Sequence, residues 1–175
     1  MQKRNPPIPN QRERVLPDDA FITSKTDTRG KILYGNPIFI DLSGYSEDEL
    51  LGAPHNIIRH PDMPRGVFKA LWDTISAGKE FLGYVKNLSA DGGFYWVYAT
   101  VTPDFDAAGR ITGYYSVRRK PRREAINAIE PVYRAMLAAE ARVSGGQAPA
   151  EGLAVLQRLI LENKKNDYTA FVLDL

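Results

Sequence analysis

Three β-prone runs, Phe81 to Leu88, Phe94 to Thr102 and Ile111 to Arg118, follow one another with only turn-forming residues between them. Asp91-Gly92-Gly93 and the stretch from Asp106 to Gly109 supply the turns, because glycine reaches positive φ without strain and aspartate bonds its own backbone. Runs joined this closely pair as an antiparallel meander, since a parallel crossover needs about a dozen residues or more. Two shorter candidates, Phe21 to Lys25 and Lys31 to Tyr34, flank Thr26-Asp27-Thr28-Arg29-Gly30 and read as a hairpin.

Between hairpin and meander the pattern is helical. Short pieces are expected at Pro37 to Ser43 and at Ser46 to Leu51, where Ser46 and Glu49 suit a capping box. The strongest helix runs from Pro64 to Ala77, with Val67, Phe68, Leu71, Trp72 and Ile75 at helical spacing and Gly78 as its stop. On that stripe Trp72 reads as core. The order predicts an α+β fold: five antiparallel strands, helices grouped on one side, and a concavity between the layers for a small ligand.

The flanks divide the chain further. Residues 1–19 are polar and proline-rich and read as a flexible arm or cap, residues 20–120 as the main domain. Residues 121–142 form a helix with the stripe Ile126, Ile129, Tyr133, Met136 and Leu137, which Pro131 should kink or restart. Residues 143–175 hold a linker (Ser144 to Pro149), a second amphipathic helix (Gly152 to Asn163) and a tail, Tyr168 to Leu175, apolar enough to require docking.

Composition excludes several chemistries. The chain has no cysteine, so disulfides, thiolate metal sites, iron–sulfur clusters, thiol nucleophiles and cysteinyl photoadducts are out. No apolar run approaches the ~20 residues of a membrane span, and no secretory leader is evident, so no membrane insertion and a cytoplasmic location are expected. A net charge of +2 demands no polyanionic partner. The basic run Arg118, Arg119, Lys120, Arg122, Arg123 reads as a strand end and solvated helix start, and no nucleic-acid binding is expected. There is no glycine-rich phosphate loop, nucleophile elbow or metal-ligand spacing, so neither an enzyme nor a metal site is expected.

Particular words then point to a family. Asn36 to Leu51 with its Gly-Tyr and acidic-Glu-Leu pieces, and Asp91-Gly92-Gly93 before Tyr95-Trp96-Val97, resemble the PAS family. Pro54 to Pro64 (PHNIIRHPDMP), with Val85-Lys86-Asn87, is similar to the FAD-binding PAS domain of bacterial aerotaxis receptors. Gly113-Tyr114 and Ile129 to Tyr133 extend the likeness, which covers roughly residues 20 to 137. It implies a PAS fold holding a non-covalent FAD. The sequence has Phe81 where that group has a tryptophan, and neither the group's membrane anchor nor its chemoreceptor signalling region is expected within these residues.

A flavin asks for apolar walls, amide-like partners at its pyrimidine edge, and positive charge or free N–H groups at its phosphates. Asn87 shares a strand face with Phe81, Gly83 and Val85 and offers a carboxamide, unless it serves the following turn. Arg59, His60 and Asp62 precede the long helix, whose N-terminus suits a pyrophosphate; Asp62 suits a helix cap equally well. His55 and Asn56 lie in the same word, and either histidine is a conceivable haem ligand. Asn36 caps a helix or meets the ligand, Tyr95 is a wall candidate, and Arg118 either approaches the ring or is solvated.

The expectation is a redox or oxygen-related sensor that binds FAD and relays its state to a signalling partner, a chemoreceptor or other output protein. Two alternatives stand: a ligand-free or haem-binding PAS interaction module, and a flavin-dependent oxidoreductase. Phe94, Trp96 and Tyr98 on the opposite strand face, with the helical stripe, call for a cover: the arm, the C-terminal helices or a second copy in a homodimer.

Overall fold

The computed structural model describes residues 6–162 and 167–175; the first five residues of the expected arm and Asn163 of the expected second helix lie outside them. Strands β1 (Ile22–Asp27), β2 (Ile32–Gly35), β3 (Phe81–Leu88), β4 (Phe94–Phe105) and β5 (Ile111–Arg119) form one antiparallel sheet in the order β2-β1-β5-β4-β3. The helices are α1 (Pro37–Ser43), α2 (Glu47–Leu50), α3 (Arg65–Ser76), α4 (Arg123–Glu140), α5 (Ala148–Glu162) and α6 (Tyr168–Leu173). The α+β layout with the helical segment between β2 and β3 is therefore the one the hairpin and meander predict.

Register explains the two faces. Pairing of Ser24 with Ser116, Val85 with Val97, and Ala99 with Arg118 aligns one side chain set toward the helices between β2 and β3. The alternate set, including Tyr84, Trp96 and Tyr98, points to the opposite face. Trp96 stacks on Tyr133 of α4 (centroids 6.3 Å apart), and the Tyr133 hydroxyl donates to the Tyr84 carbonyl at 2.6 Å. Ile126, Ile129, Tyr133 and Met136 are all buried. Trp96 is thus covered by Tyr133, Phe94 by the arm and His60, and Tyr98 by Arg119 beside Val172 and Leu173 of α6, so one chain supplies the cover.

Two flanking expectations narrow, the first to its cap alternative. The arm is hydrogen-bonded from residue 10 onward: Asn10 N–H donates to the Gly92 carbonyl (2.8 Å), Arg14 N–H to that of Phe94 (2.7 Å), and Phe94 N–H to that of Arg12 (2.9 Å). It occupies the side of β4 that β5, paired only from Tyr98 onward, leaves open. Arg12 and Arg14 add ion pairs to Asp91. Pro131 does not restart α4, which runs through it as one helix of 18 residues. Pro131 and Asn127, whose carbonyl loses its partner, both face solvent, where water replaces the missing bond.

The tail docks as α6 through Phe171 and Val172, and its Tyr168 ring stacks on Phe81 at 5.4 Å. Among the described residues, no helix is long and apolar enough to cross a membrane. Tyr133→Phe removes a buried hydroxyl and leaves the Tyr84 carbonyl without its donor. It should cost about 1–2 kcal/mol in chemical denaturation; an unchanged midpoint would contradict the docking of α4 on the sheet.

Candidate functional site

A cavity of about 340 Å³ lies between the inner face of the sheet and α3, closed at one end by the 3-10 turn His55–Ile58. Ile58, Phe68, Leu71, Ile75, Val85 and Val101 give it apolar walls. Its size falls near the lower end of ordinary ligand pockets, which run from about 300 to 1,000 Å³. Against these walls stands a compact polar group: Ser24 from β1, His55, Asn87 from β3, and Ser116 and Arg118 from β5.

Arg118 organises that group. Its side chain is 3% exposed, although its neighbours in the basic run, Arg119 and Lys120, are exposed. Alternation along β5 makes the difference, turning Ser116 and Arg118 inward together. Arg118 Nε donates to Ser116 Oγ at 3.0 Å, and Nη2 donates to Ser24 Oγ and to His55 Nε2, the latter at 2.9 Å. Its guanidinium lies over the Phe39 ring, 5.1 Å from the centroid. Nη1 has no hydrogen-bond partner, and neither does Nδ2 of Asn87. Burial lowers the Arg118 pKa to about 10, with Tyr95 acting in the opposite sense.

Arginine has no acceptor, so His55 Nε2 must carry a lone pair and the ring proton sits on Nδ1. Burial first, and then the Arg118 charge, pull the His55 pKa from 6.5 to about 3. The neutral ring stacks on Phe39, centroids 5.9 Å apart. The nitrogen through which His55 would ligate a haem iron is thereby engaged.

The other sequence candidates separate into two groups. Asn56 and Arg59 line the cavity; Arg59 Nη2 donates to the Met63 carbonyl at 2.9 Å and its guanidinium covers Phe68. His60, Asp62, Phe81, Tyr95 and Asn36 do not line it. His60 is buried beside Phe94, its Nδ1 accepts from Asp62 N–H, and burial and then Lys86 lower its pKa to about 4. Asp62 pairs with Lys86 at 2.6 Å on the outer side of β3, and so does not cap α3. Burial would raise its carboxyl pKa, but Lys86 and His60 hold it below the usual range. Tyr95 is fully buried with its hydroxyl unpartnered, and burial raises its pKa. Asn36 caps α1, accepting from Phe39 N–H and Thr23 N–H and donating to the Phe21 carbonyl at 2.7 Å.

Two features differ from the sequence expectation. Trp72 is 38% exposed and lies on the cavity rim beside Gly30, edge-on to Tyr114, instead of in the core. The N-terminus of α3, expected to meet a pyrophosphate, is occupied by Glu140, whose carboxylate accepts from Arg65 N–H (2.9 Å) and Gly66 N–H (2.8 Å). Sequence reasoning also passed over Ser24 and Ser116, polar residues at inward strand positions that period-two counting would have flagged. Among the described residues no cluster of metal-ligating side chains occurs.

Residues 32–118 match a family model described as PAS fold. The aerotaxis receptor of Escherichia coli (strain K12) is 41% identical over 130 residues, covering 74% of this chain and 26% of that protein. The nitrogen fixation regulatory protein of Klebsiella oxytoca is 31% identical over 96 residues, 55% of this chain and 19% of that one. The chain thus spans about a quarter or less of the length of these relatives. Among solved structures, the dark structure of the blue-light photoreceptor Aureochrome1 LOV aligns with a TM-score of 0.58 at 22% identity, covering 65% of this chain and 85% of that chain, a likeness of fold.

Both histidines are held neutral in the fold, so the unfolded chain, protonated near pH 6.5, binds more protons as pH falls toward 4. Stability should therefore be level between about pH 7 and 9 and decline below about pH 6.5. Urea denaturation across pH, with the histidine ring resonances followed by NMR, checks this. A ring titrating near 6.5 in the folded protein would contradict it.

Proposed function

The chain belongs to the PAS fold family through residues 32–118, and on that premise we propose that it is a redox sensor holding a non-covalent flavin, FAD, in the cavity between sheet and α3. The observation that carries this reading is the pair of buried unpartnered donors, Asn87 Nδ2 and Arg118 Nη1, on the polar side of a chamber whose other walls are apolar. Leaving such groups unpaired costs about 1–3 kcal/mol each, more for a charged one. A planar heteroaromatic ring with an electron-rich polar edge satisfies both donors while its apolar edge meets Ile58, Leu71 and Val85.

When bound, a flavin supplies reversible two-electron chemistry and an edge whose donors and acceptors change with oxidation state. Asn87 carries a donor and an acceptor on one rotatable carboxamide and can meet either pattern. Arg118 offers donors alone and favours the more electron-rich edge. Ser24, Ser116 and His55 fix the guanidinium plane, so a change at the ring is passed to β1 and β5. With the α3 N-terminus taken by Glu140, positive charge for a diphosphate falls to Arg59 and to Arg29 on the cavity rim. The similarity to an aerotaxis receptor supports a redox- or oxygen-related signal relayed to a signalling partner such as a chemoreceptor, with no turnover of substrate.

Purified protein should be yellow and should release FAD, identified by mass spectrometry, on denaturation. A colourless protein that takes up no added FAD would overturn the reading, and release of FMN alone would confine the error to the adenylate half.

Asn87→Ala should weaken flavin retention by roughly tenfold to a hundredfold, the effect of removing one buried edge partner. If the loss acts on one redox state only, the midpoint moves by about 20–65 mV. Titration of FAD and a potentiometric scan decide the matter; unchanged affinity and potential would return Asn87 to a purely structural place.

A further inference from the structure

The first turn of α3 is closed by a side chain from the C-terminal helices. Pro64, at the N-cap position, provides no side-chain hydrogen bond. Glu140, in the last turn of α4 and 7% exposed, supplies both carboxylate oxygens instead, to Arg65 N–H and Gly66 N–H. Free N–H groups at a helix start carry the positive end of its dipole, so a paired carboxylate there satisfies two donors and the charge together.

The fit around this contact is close. A Cβ on Gly66 would stand 2.6 Å from the Leu153 nitrogen of α5, and one on Gly152 would collide with Glu140 Oε1. Glycine at both positions lets α3 and α5 cross with the carboxylate between them. The helix so held is the cavity wall itself, since α3 contributes Phe68, Leu71, Trp72 and Ile75. Arg59, on the same wall, donates from Nη2 to the Met63 carbonyl at 2.9 Å, two residues before the Arg65 N–H that Glu140 accepts from, and the Glu140 charge acts on its guanidinium against the effect of burial and Arg65. Two turns before Glu140, α4 is anchored to the sheet by Tyr133, which stacks on Trp96 and donates to the Tyr84 carbonyl.

We propose that Glu140 is a latch: its carboxylate on the first turn of α3 holds the α4–α5 pair against the cavity wall, and an anionic ligand that draws Arg59 away loosens it. The inference rests on the cavity being the sensory site, and it names α4–α5 as the element that reads it. An anion at Arg59 takes up the positive charge that favours Glu140 in its buried position. Because coupling between sites is reciprocal, a ligand that loosens the latch binds more tightly once the latch is gone.

Hydrogen exchange read by mass spectrometry over residues 148–162, with β4 and β5 as internal controls, tests this using FAD as the probe. In the ligand-free protein Glu140→Ala should speed exchange in α5 by tenfold or more while the strands stay protected. FAD should speed the same amides in the wild type, add little in the variant, and bind the variant more tightly. Should Glu140→Ala also open the strands, Glu140→Gln, which sets a donor against one of the two N–H groups, should give at least a threefold rise confined to α5. Exchange in α5 that matches the wild type in these variants overturns the latch. So does FAD that binds by absorbance yet leaves wild-type α5 exchange and its affinity for the Glu140→Ala protein unchanged. Failure of FAD to bind at all overturns the flavin reading, and the ligand-free comparison then decides the latch alone.

Discussion

A guanidinium buried among serines, a histidine and a phenylalanine, with no carboxylate pairing it, is the constraint around which this domain is built. Removing a cation from water is costly, and hydrogen bonds must replace what water supplied. Arg118 recovers three of its donors' partners from Ser24, Ser116 and His55 and part of its charge from the Phe39 ring. Nη1 is left over. Burial and then the same cation keep His55 neutral, and the cation fixes its tautomer, so β1, β5 and the His55 turn share one electrostatic arrangement. The polar side of the cavity follows from that arrangement.

The fold was legible wherever periodicity was strong. Alternation in the meander, the Ser46–Glu49 capping box and the stripe of α3 place their elements within a few residues of where they occur. Legibility failed where a local pattern has two readings. Arg118 looks like part of a solvated basic run until β5 alternation separates it from Arg119. Trp72 shares the apolar spacing of α3 but falls at the edge of the stripe, where α3 meets the cavity rim rather than the sheet. Pro131 breaks helices only where its lost bond cannot be made good, and exposure removes that penalty.

Of the site, the word around Pro54 to Pro64 indicated the region but mixed two environments. Asn56 and Arg59 turn toward the cavity, whereas His60 and Asp62 cross the β3 edge to meet Phe94 and Lys86. A bridge between Arg59 and Asn87 pins the chain at that crossing. No sequence rule announces which side of a strand edge a loop residue takes. Glu140 was invisible for a related reason: its partner is a helix start 74 residues away, reached only through tertiary packing.

The central claim is that Asn87 and Arg118 hold their unpartnered donors for one bound ring. A crystal structure of the protein with flavin tests it most directly. The account predicts the ring between sheet and α3, with Asn87 Nδ2 and Arg118 Nη1 each within about 3.2 Å of polar atoms on its edge. A flavin bound elsewhere, or seated in the cavity with both nitrogens still unpaired, would contradict it.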